Sequence, residues 1–186
     1  MCDREIVTMK IISNIYRYLV LSLASPYRRA GLIRKYMGGV KIGNNCCILD
    51  FKAFGSEPYL IEIGDNVRIT SGVRFITHDG GIWVLRNNKM LHNADIFGKI
   101  KVGNNVHIGI NSIIMPGVTI GDNVVIGCGA IVTKDIPSNS VAVGVPARVI
   151  ESIDEYYNKV KNKCDFTKNL SYEEKRKYLV KKYGEK

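Results

Sequence analysis

Acidic residues are scarce in this 186-residue sequence: 17 Asp and Glu stand against 27 Lys and Arg, a formal net charge of +10. Long apolar runs are missing too. No uninterrupted apolar stretch approaches the ~18 residues of a bilayer-spanning helix. The N-terminus, MCDREIVTMK, places acidic residues ahead of any apolar segment and does not read as a secretory signal. Cysteines number five, an odd count with two adjacent at Cys46-Cys47. That pattern speaks for reduced, cytosolic thiols and against a disulfide framework. The aromatic–basic interleaving of nucleic-acid-binding modules is also missing, which argues against nucleic acid as partner. The positive charge is left with an anionic membrane surface or a polyanionic small ligand.

What the sequence does have is a period of six. Val102, Ile108, Ile114, Ile120, Ile126 and Val132 recur at every sixth position. A helix repeats its apolar face every 3.6 residues and a strand every two, so an amphipathic helix cannot produce this register. Turn residues recur with it: Gly64-Asp65-Asn66, Gly103-Asn104-Asn105 and Gly121-Asp122-Asn123 each follow an aliphatic residue. Gly, Asn and Asp tolerate the positive φ of a sharp corner. A short strand and a corner every six residues predict an all-β core, a chain coiled into a hexapeptide β-helix.

Three parts follow. Residues 1–39 carry helical periodicity, with Ile11, Ile15 and Leu19 on one side, Arg17 on another and a break near Ser25-Pro26. Residues 40–150 hold the repeats. Residues 151–186 turn lysine-rich and helical, with Ser171-Tyr172-Glu173-Glu174 in the form of a capping box. Inside the repeats the register breaks after "FITH" and restarts at "IKVGNNVHIG", leaving residues 79–98 as an inserted loop. Such an insertion lies on one face of a solenoid, often the binding face. Inward aliphatics make the scaffold inert, so chemistry must come from outward residues and the loop.

The segment "MPGVTIGDNVVIGCGAIVTKDIPSNSVAVGVPARVI" resembles the closing signature of the maltose/galactoside O-acetyltransferase branch of the hexapeptide acyltransferases. The resemblance spans about residues 40–150 and departs from the pattern at Cys128, where alanine is usual, and at Ser138, where proline is. "FGSEPYLIEIGDNV", "FITHDGGIWVLR" and "DIFGKIKVGNNVHIG" look more like acetyltransferases of capsule and surface-polysaccharide pathways. The resemblance implies a left-handed parallel β-helix, a homotrimer with sites between subunits, acetyl-coenzyme A as co-substrate and a carbohydrate acceptor. It implies no metal.

Acetyl transfer from a thioester to a sugar hydroxyl needs a base for the hydroxyl proton, and neutral imidazole suits that role. Only three histidines are present. The resemblance places the catalytic one at His78, at the mouth of the loop. Either Glu57 or Asp79 is expected to fix its tautomer. His107, where relatives often carry tryptophan, and Trp83, Asp79, Glu57 and Asp50 are expected near the acceptor; His92 reads as a solvated loop residue. For the donor, the resemblance implies the backbones of Ile110 and Cys128 along the pantetheine arm, with Thr133, Lys134 and Arg148 toward the phosphates. Gly109 and Ile110 are expected to supply the oxyanion donor, and Lys134 and Arg148 to face His78 from a neighbouring subunit.

Alternatives remain open on the sequence. The scaffold also carries N-acetylation of amino sugars or nucleotide-amino-sugars and xenobiotic acetylation. γ-Class carbonic anhydrases place three histidines on zinc, but the spacings 78–92–107 do not fit theirs. A non-enzymatic scaffold is the third reading. The N-terminal helices, rich in Arg and aliphatics, are expected to pack on the trimer and wall the acceptor pocket; resting on an anionic membrane surface is the other reading.

Overall fold

Between the third and fourth coils strand partners lie 18 residues apart, three hexapeptides to a turn: Lys101 pairs with Thr119, Val106 with Val124, and Ile113 with Ile131. The computed structural model describes residues 3–184, with side chains from residue 12; the reading of Ile11 lies outside those side chains. The coils build a three-faced prism of parallel strands. The first face stacks Lys41–Ile42, Ile61–Ile63, Ile100–Val102 and Thr119–Ile120. The second stacks Cys47–Ile48, Arg68–Ile69, Val106–Ile108, Val124–Ile126 and Ser140–Gly144, and the third Arg74–Phe75, Ile113–Ile114 and Ile131–Val132. Between the second and third coils the partners Ile61 and Ile100 are 39 residues apart, the excess being the inserted loop.

The six-residue series is the core. Val102, Ile108, Ile114, Ile120, Ile126 and Val132 are all buried, as are Phe54 and Phe75, which stack on each other. Each such aliphatic side chain removed from water contributes roughly 2 kcal/mol. The corners between the first and second faces explain the Gly-Asp/Asn-Asn pattern. A Cβ on Gly64 would meet the Gly103 carbonyl at 2.6 Å, so only glycine lets the coils stack there. The second corner residue bridges coils by its side chain: Asp65 accepts from the Asn44 N–H, Asn104 from Asp65, and Asp122 from Asn104. The third, Asn45, Asn66, Asn105, Asn123 or Asn139, takes a positive φ. Several of these Asn side chains bond each other between coils, Asn45 to Asn66 and Asn105 to Asn123 to Asn139.

Both ends of the prism are closed. At the far end, Ala147–Ser152 turns back antiparallel on Ser140–Gly144. At the near end lie the helices Asp3–Leu23 and Pro26–Tyr36, which bury Leu21, Ala30 and Ile33 against the first coil. Arg29 locks them down. Buried, it donates from Nε to the Leu21 carbonyl (2.8 Å) and from Nη1 to Ile48 (2.8 Å) and Leu49 (2.6 Å). Its Nη2 donates to Ala24 (2.7 Å) and Ser22 (3.3 Å). The guanidinium thus satisfies helix-end carbonyls that would otherwise be buried without partners. Ile15 and Leu19 do not share in this packing; both are exposed.

The chain divides into two compact units after Ile153, so the strand Ala147–Ser152 belongs whole to the prism unit. The second unit contains the helix Tyr172–Tyr183, opened by a capping box in which Ser171 and Glu174 bond each other's backbone N–H. Asp165 accepts from Tyr178 and Lys182 on that helix. Among the described residues, no helix is long and apolar enough to cross a membrane.

Candidate active site

His78 lies where the third face gives way to the first, at the foot of the inserted loop. The two feet are zipped together: His78 bridges Phe97 antiparallel, the Asp79 N–H reaches the Ile96 carbonyl (3.0 Å) and the Gly98 N–H reaches Thr77 (2.8 Å). The Phe97 ring stands edge-on to the imidazole at 6.3 Å. Backbone pairing on both sides therefore fixes where the imidazole projects. Within the loop, Ile82 is buried as an anchor and opens the helix Ile82–Asn87. Arg86 closes the loop by donating to the Ala94 carbonyl and the Asp95 carboxylate.

Of the two carboxylates expected to orient the ring, Glu57 does so. His78 Nδ1 lies 3.0 Å from Glu57 Oε2, and Thr77 Oγ1 donates to the same oxygen at 2.6 Å. The Thr77 hydroxyl first, and then the His78 ring, hold the Glu57 carboxyl down at about 2. A carboxylate only accepts, so Nδ1 carries the proton of the neutral ring and the Nε2 lone pair is left outward. Asp79 is used otherwise: its Oδ1 accepts from the Gly81 N–H (2.8 Å) and shapes the loop. Thr77 had no place in the sequence reading. Its neighbour His78 was the only available signal, since hydroxyls beside a base often fix its partner.

The remaining residues fall into separate groups. Asp50 is engaged by Arg74 (3.0 Å) and by the Lys52 N–H (2.9 Å). Burial works to raise its pKa, but these bonds hold it below the usual value. An acceptor would have to compete with Arg74 for it. Trp83 is 61% exposed on the loop helix, and His92 is exposed farther along the loop. His107 sits in the middle of the second face, in register between Arg68 and Val125, not at the His78 corner. It lines a cleft of about 360 Å³ with Arg68 and the Asn66, Asn105, Asn123 and Asn139 corners. Partial burial, with Arg68 adding, keeps its pKa below the ordinary histidine value.

The residues expected along the donor occupy two different edges. Register places Ile76, Met115 and Thr133 in one row and Thr77, Pro116 and Lys134 in the next. Lys134 therefore shares the His78 edge, two coils or about 10 Å along the axis. Within one chain, then, Lys134 lies on the same edge as His78, where the expectation had a neighbouring chain supply it. Ile110 and Cys128 lie on the other edge, between the second and third faces, stacked one coil apart through the bond from the Gly129 N–H to the Ile110 carbonyl (2.7 Å). Arg148 pairs with Val143 where the same edge ends. Gly109 cannot be an oxyanion donor, because its N–H is spent on the Ile126 carbonyl at 2.9 Å. The Ile110 and Cys128 N–H groups, by contrast, make no backbone bond between coils among the described residues. Among the described residues, exposed Lys134 on the one edge and exposed Arg148 on the other have no carboxylate partner, which suits both cations to phosphate groups.

Known proteins share the repeat and the fold. Residues 99–134 match the bacterial transferase hexapeptide (six repeats) family. The chain is 57% identical over 149 residues to Protein CapG of Staphylococcus aureus, covering 79% of this chain and 86% of that one. It is similar to the solved structure of a galactoside acetyltransferase in complex with coenzyme A: 33% identity, TM-score 0.59, covering 85% and 86% of the two chains. A maltose O-acetyltransferase from Clostridium difficile 630 is likewise 33% identical, with TM-score 0.52 and coverage of 81% and 89%.

Proposed function

The chain belongs to the hexapeptide-repeat transferases, and from that premise we propose that it moves an acetyl group from acetyl-coenzyme A to a sugar hydroxyl, with His78 as general base. The acceptor is a saccharide or polysaccharide precursor, and the reaction is cytoplasmic. The prism is left-handed and three copies form the working unit, each site joining the His78 edge of one chain to the Ile110 edge of the next. One observation carries the reading: a carboxylate held ionised at hydrogen-bond distance from His78 Nδ1, which leaves Nε2 as an outward acceptor. The galactoside and maltose transferases among the similar structures support a sugar as acceptor.

The thioester supplies an acyl carbon already activated for attack. Nε2 takes the hydroxyl proton as the acceptor oxygen attacks, and the Glu57 carboxylate stabilises the imidazolium that results. The Ile110 N–H of the neighbouring chain is the candidate donor to the negative charge that develops on the carbonyl oxygen. Thr133, Lys134 and the neighbour's Arg148 hold the phosphates. Transfer is direct: collapse of the tetrahedral adduct breaks the thioester C–S bond, the coenzyme sulfur leaves and takes the proton from the His78 imidazolium, and Cys128 serves through its backbone and not as a nucleophile.

The test is free-thiol release from acetyl-coenzyme A against monosaccharides, nucleotide-sugars and oligosaccharide repeat units. An alkali-labile ester product supports the reading, and an alkali-stable amide overturns it in favour of an amino sugar. His78→Ala is expected to lower kcat by roughly 10²–10⁴ with coenzyme binding retained, while Cys128→Ala stays active. An active His78→Ala enzyme, or an acetyl-Cys128 adduct, would reject the assignment.

A further inference from the structure

The outward side of the first helix is apolar where a helix at a protein surface is ordinarily polar. Ile12, Ile15, Tyr16, Leu19 and Leu23 are each more than half exposed, and Leu23 reaches 84%. At 100° per residue these five fall within about 100° of arc. Leu21, the residue that packs on the prism, points the opposite way, and Tyr18, between them, meets Phe51 edge-on at 5.4 Å. The helix therefore has two apolar faces, one used by the fold and one left bare. Tyr27, 64% exposed, follows just past the break at Ser25-Pro26.

The charge of the segment that carries this stripe has one sign. From residue 6 to residue 49 the sequence holds seven Lys and Arg and not one Asp or Glu. Arg17 and Arg28 are exposed within it and show no ion pair among the described residues, whereas Arg29 is consumed by carbonyls, Arg34 reaches the Ile42 carbonyl (3.3 Å) and Lys41 pairs with Glu62 (2.9 Å). A second copy laying the same segment against this one would bring like charges together at the stripe. An anionic surface answers both features, taking the aliphatic and tyrosine side chains into its boundary and the arginines at its phosphates.

We infer that the stripe Ile12, Ile15, Tyr16, Leu19 and Leu23 is a docking face for an anionic lipid bilayer, on which the helix lies in plane. No described helix is long and apolar enough to cross. The chain is thereby held at the membrane surface by its N-terminal helices, with the catalytic prism in the aqueous phase.

The experiment is flotation of the full chain with vesicles of phosphatidylcholine alone or with about 30% phosphatidylglycerol. Recovery with the anionic vesicles is expected to exceed that with the neutral ones at least about tenfold and to fall in about 0.5 M salt. Ile15→Glu combined with Leu19→Glu should abolish it, and Arg17→Ser combined with Arg28→Ser should lower it about tenfold or more. The double glutamate variant should keep its thermal midpoint, its oligomeric mass and its rate on a soluble acceptor, which separates the docking face from the fold and from the proposed chemistry. Equal recovery with and without anionic lipid overturns the inference, as does flotation unchanged by the stripe variants. A drop in oligomeric mass on glutamate substitution, with no flotation of the unaltered chain, assigns the stripe to a second copy instead.

Discussion

The two-edge arrangement makes a quantitative prediction about mixed oligomers. His78, Thr133 and Lys134 lie on one edge of the chain, and Ile110, Cys128 and Arg148 on another. A His78→Ala chain has lost its base edge and keeps a sound phosphate edge; an Arg148→Glu chain is the reverse. When the two are unfolded, mixed in equal amounts and reassembled, a site is complete only where the base edge comes from the second chain and the phosphate edge from the first. Random assembly of a ring with head-to-tail contacts makes that about one site in four, so activity should recover to about a quarter of the unaltered enzyme. The position of Lys134 sharpens the test. His78→Ala/Lys134→Glu spoils one edge only and should complement Arg148→Glu equally well. His78→Ala mixed with Lys134→Glu/Arg148→Glu should stay inactive, because the one chain with a base lacks the lysine beside it. The assay is thiol release at saturating acetyl-coenzyme A, with mixing verified by differently tagged chains. Equal recovery in both double-variant mixtures would show that Lys134 does not act with the His78 edge. No recovery in verified mixtures would place the whole site within one chain.

Glu57→Gln should lower kcat by about 10²-fold with little change in the coenzyme KM; the His78 side chain is 46% exposed, so the loss falls short of what a fully buried pair gives. Loss of less than about threefold would remove Glu57 from the mechanism. Arg29→Ala leaves five carbonyls of the near-end cap without their donor and should cost about 3 kcal/mol or more in denaturant unfolding, with Arg29→Lys recovering part of it. Lys41 first and then Lys99 hold Glu62 down at about 2 from an ordinary 4.5. A carboxyl depressed on folding stabilises fully above its unfolded value and loses that stabilisation as pH falls toward the folded one. Unfolding midpoints should therefore drop between about pH 4.5 and 2 less steeply in Glu62→Gln than in the unaltered chain, and identical slopes would refute the linkage.

Period and corner chemistry are local properties, so they could be read without a structure. The aliphatic residue that must point inward every sixth position has no alternative partner, and a Gly whose absent Cβ lets Gly103 approach Gly64 has no substitute. The inserted loop was legible for the same reason, as a failure of the period after His78. Pairings across coils were not. Glu57 and Asp79 flank His78 with equal chemical claim, and only the fold shows that Asp79 is spent on Gly81 while Glu57, 21 residues back, comes round to the ring. Gly109 and Ile110 are neighbours in sequence, yet the ladder uses the N–H of the first and not that of the second.

Arg29 was missed altogether, although a signal existed. With no acid between residues 6 and 49, an arginine buried there has no acid close in sequence, and the unpaired carbonyls at helix and coil ends are the acceptors nearest to it. The same shortage of acid governs the rest of that segment. Lys41 reaches out of the segment to Glu62, but among the described residues Arg17 and Arg28 have no acidic partner, and the second apolar stripe finds no core. Those two deficits have the same remedy, a surface that is anionic outside and apolar beneath. Two helices that needed only to cap the prism would require Leu21 on the first and Arg29 on the second, and nothing in that task accounts for Ile15, Leu19 and Leu23 on the other side of the first.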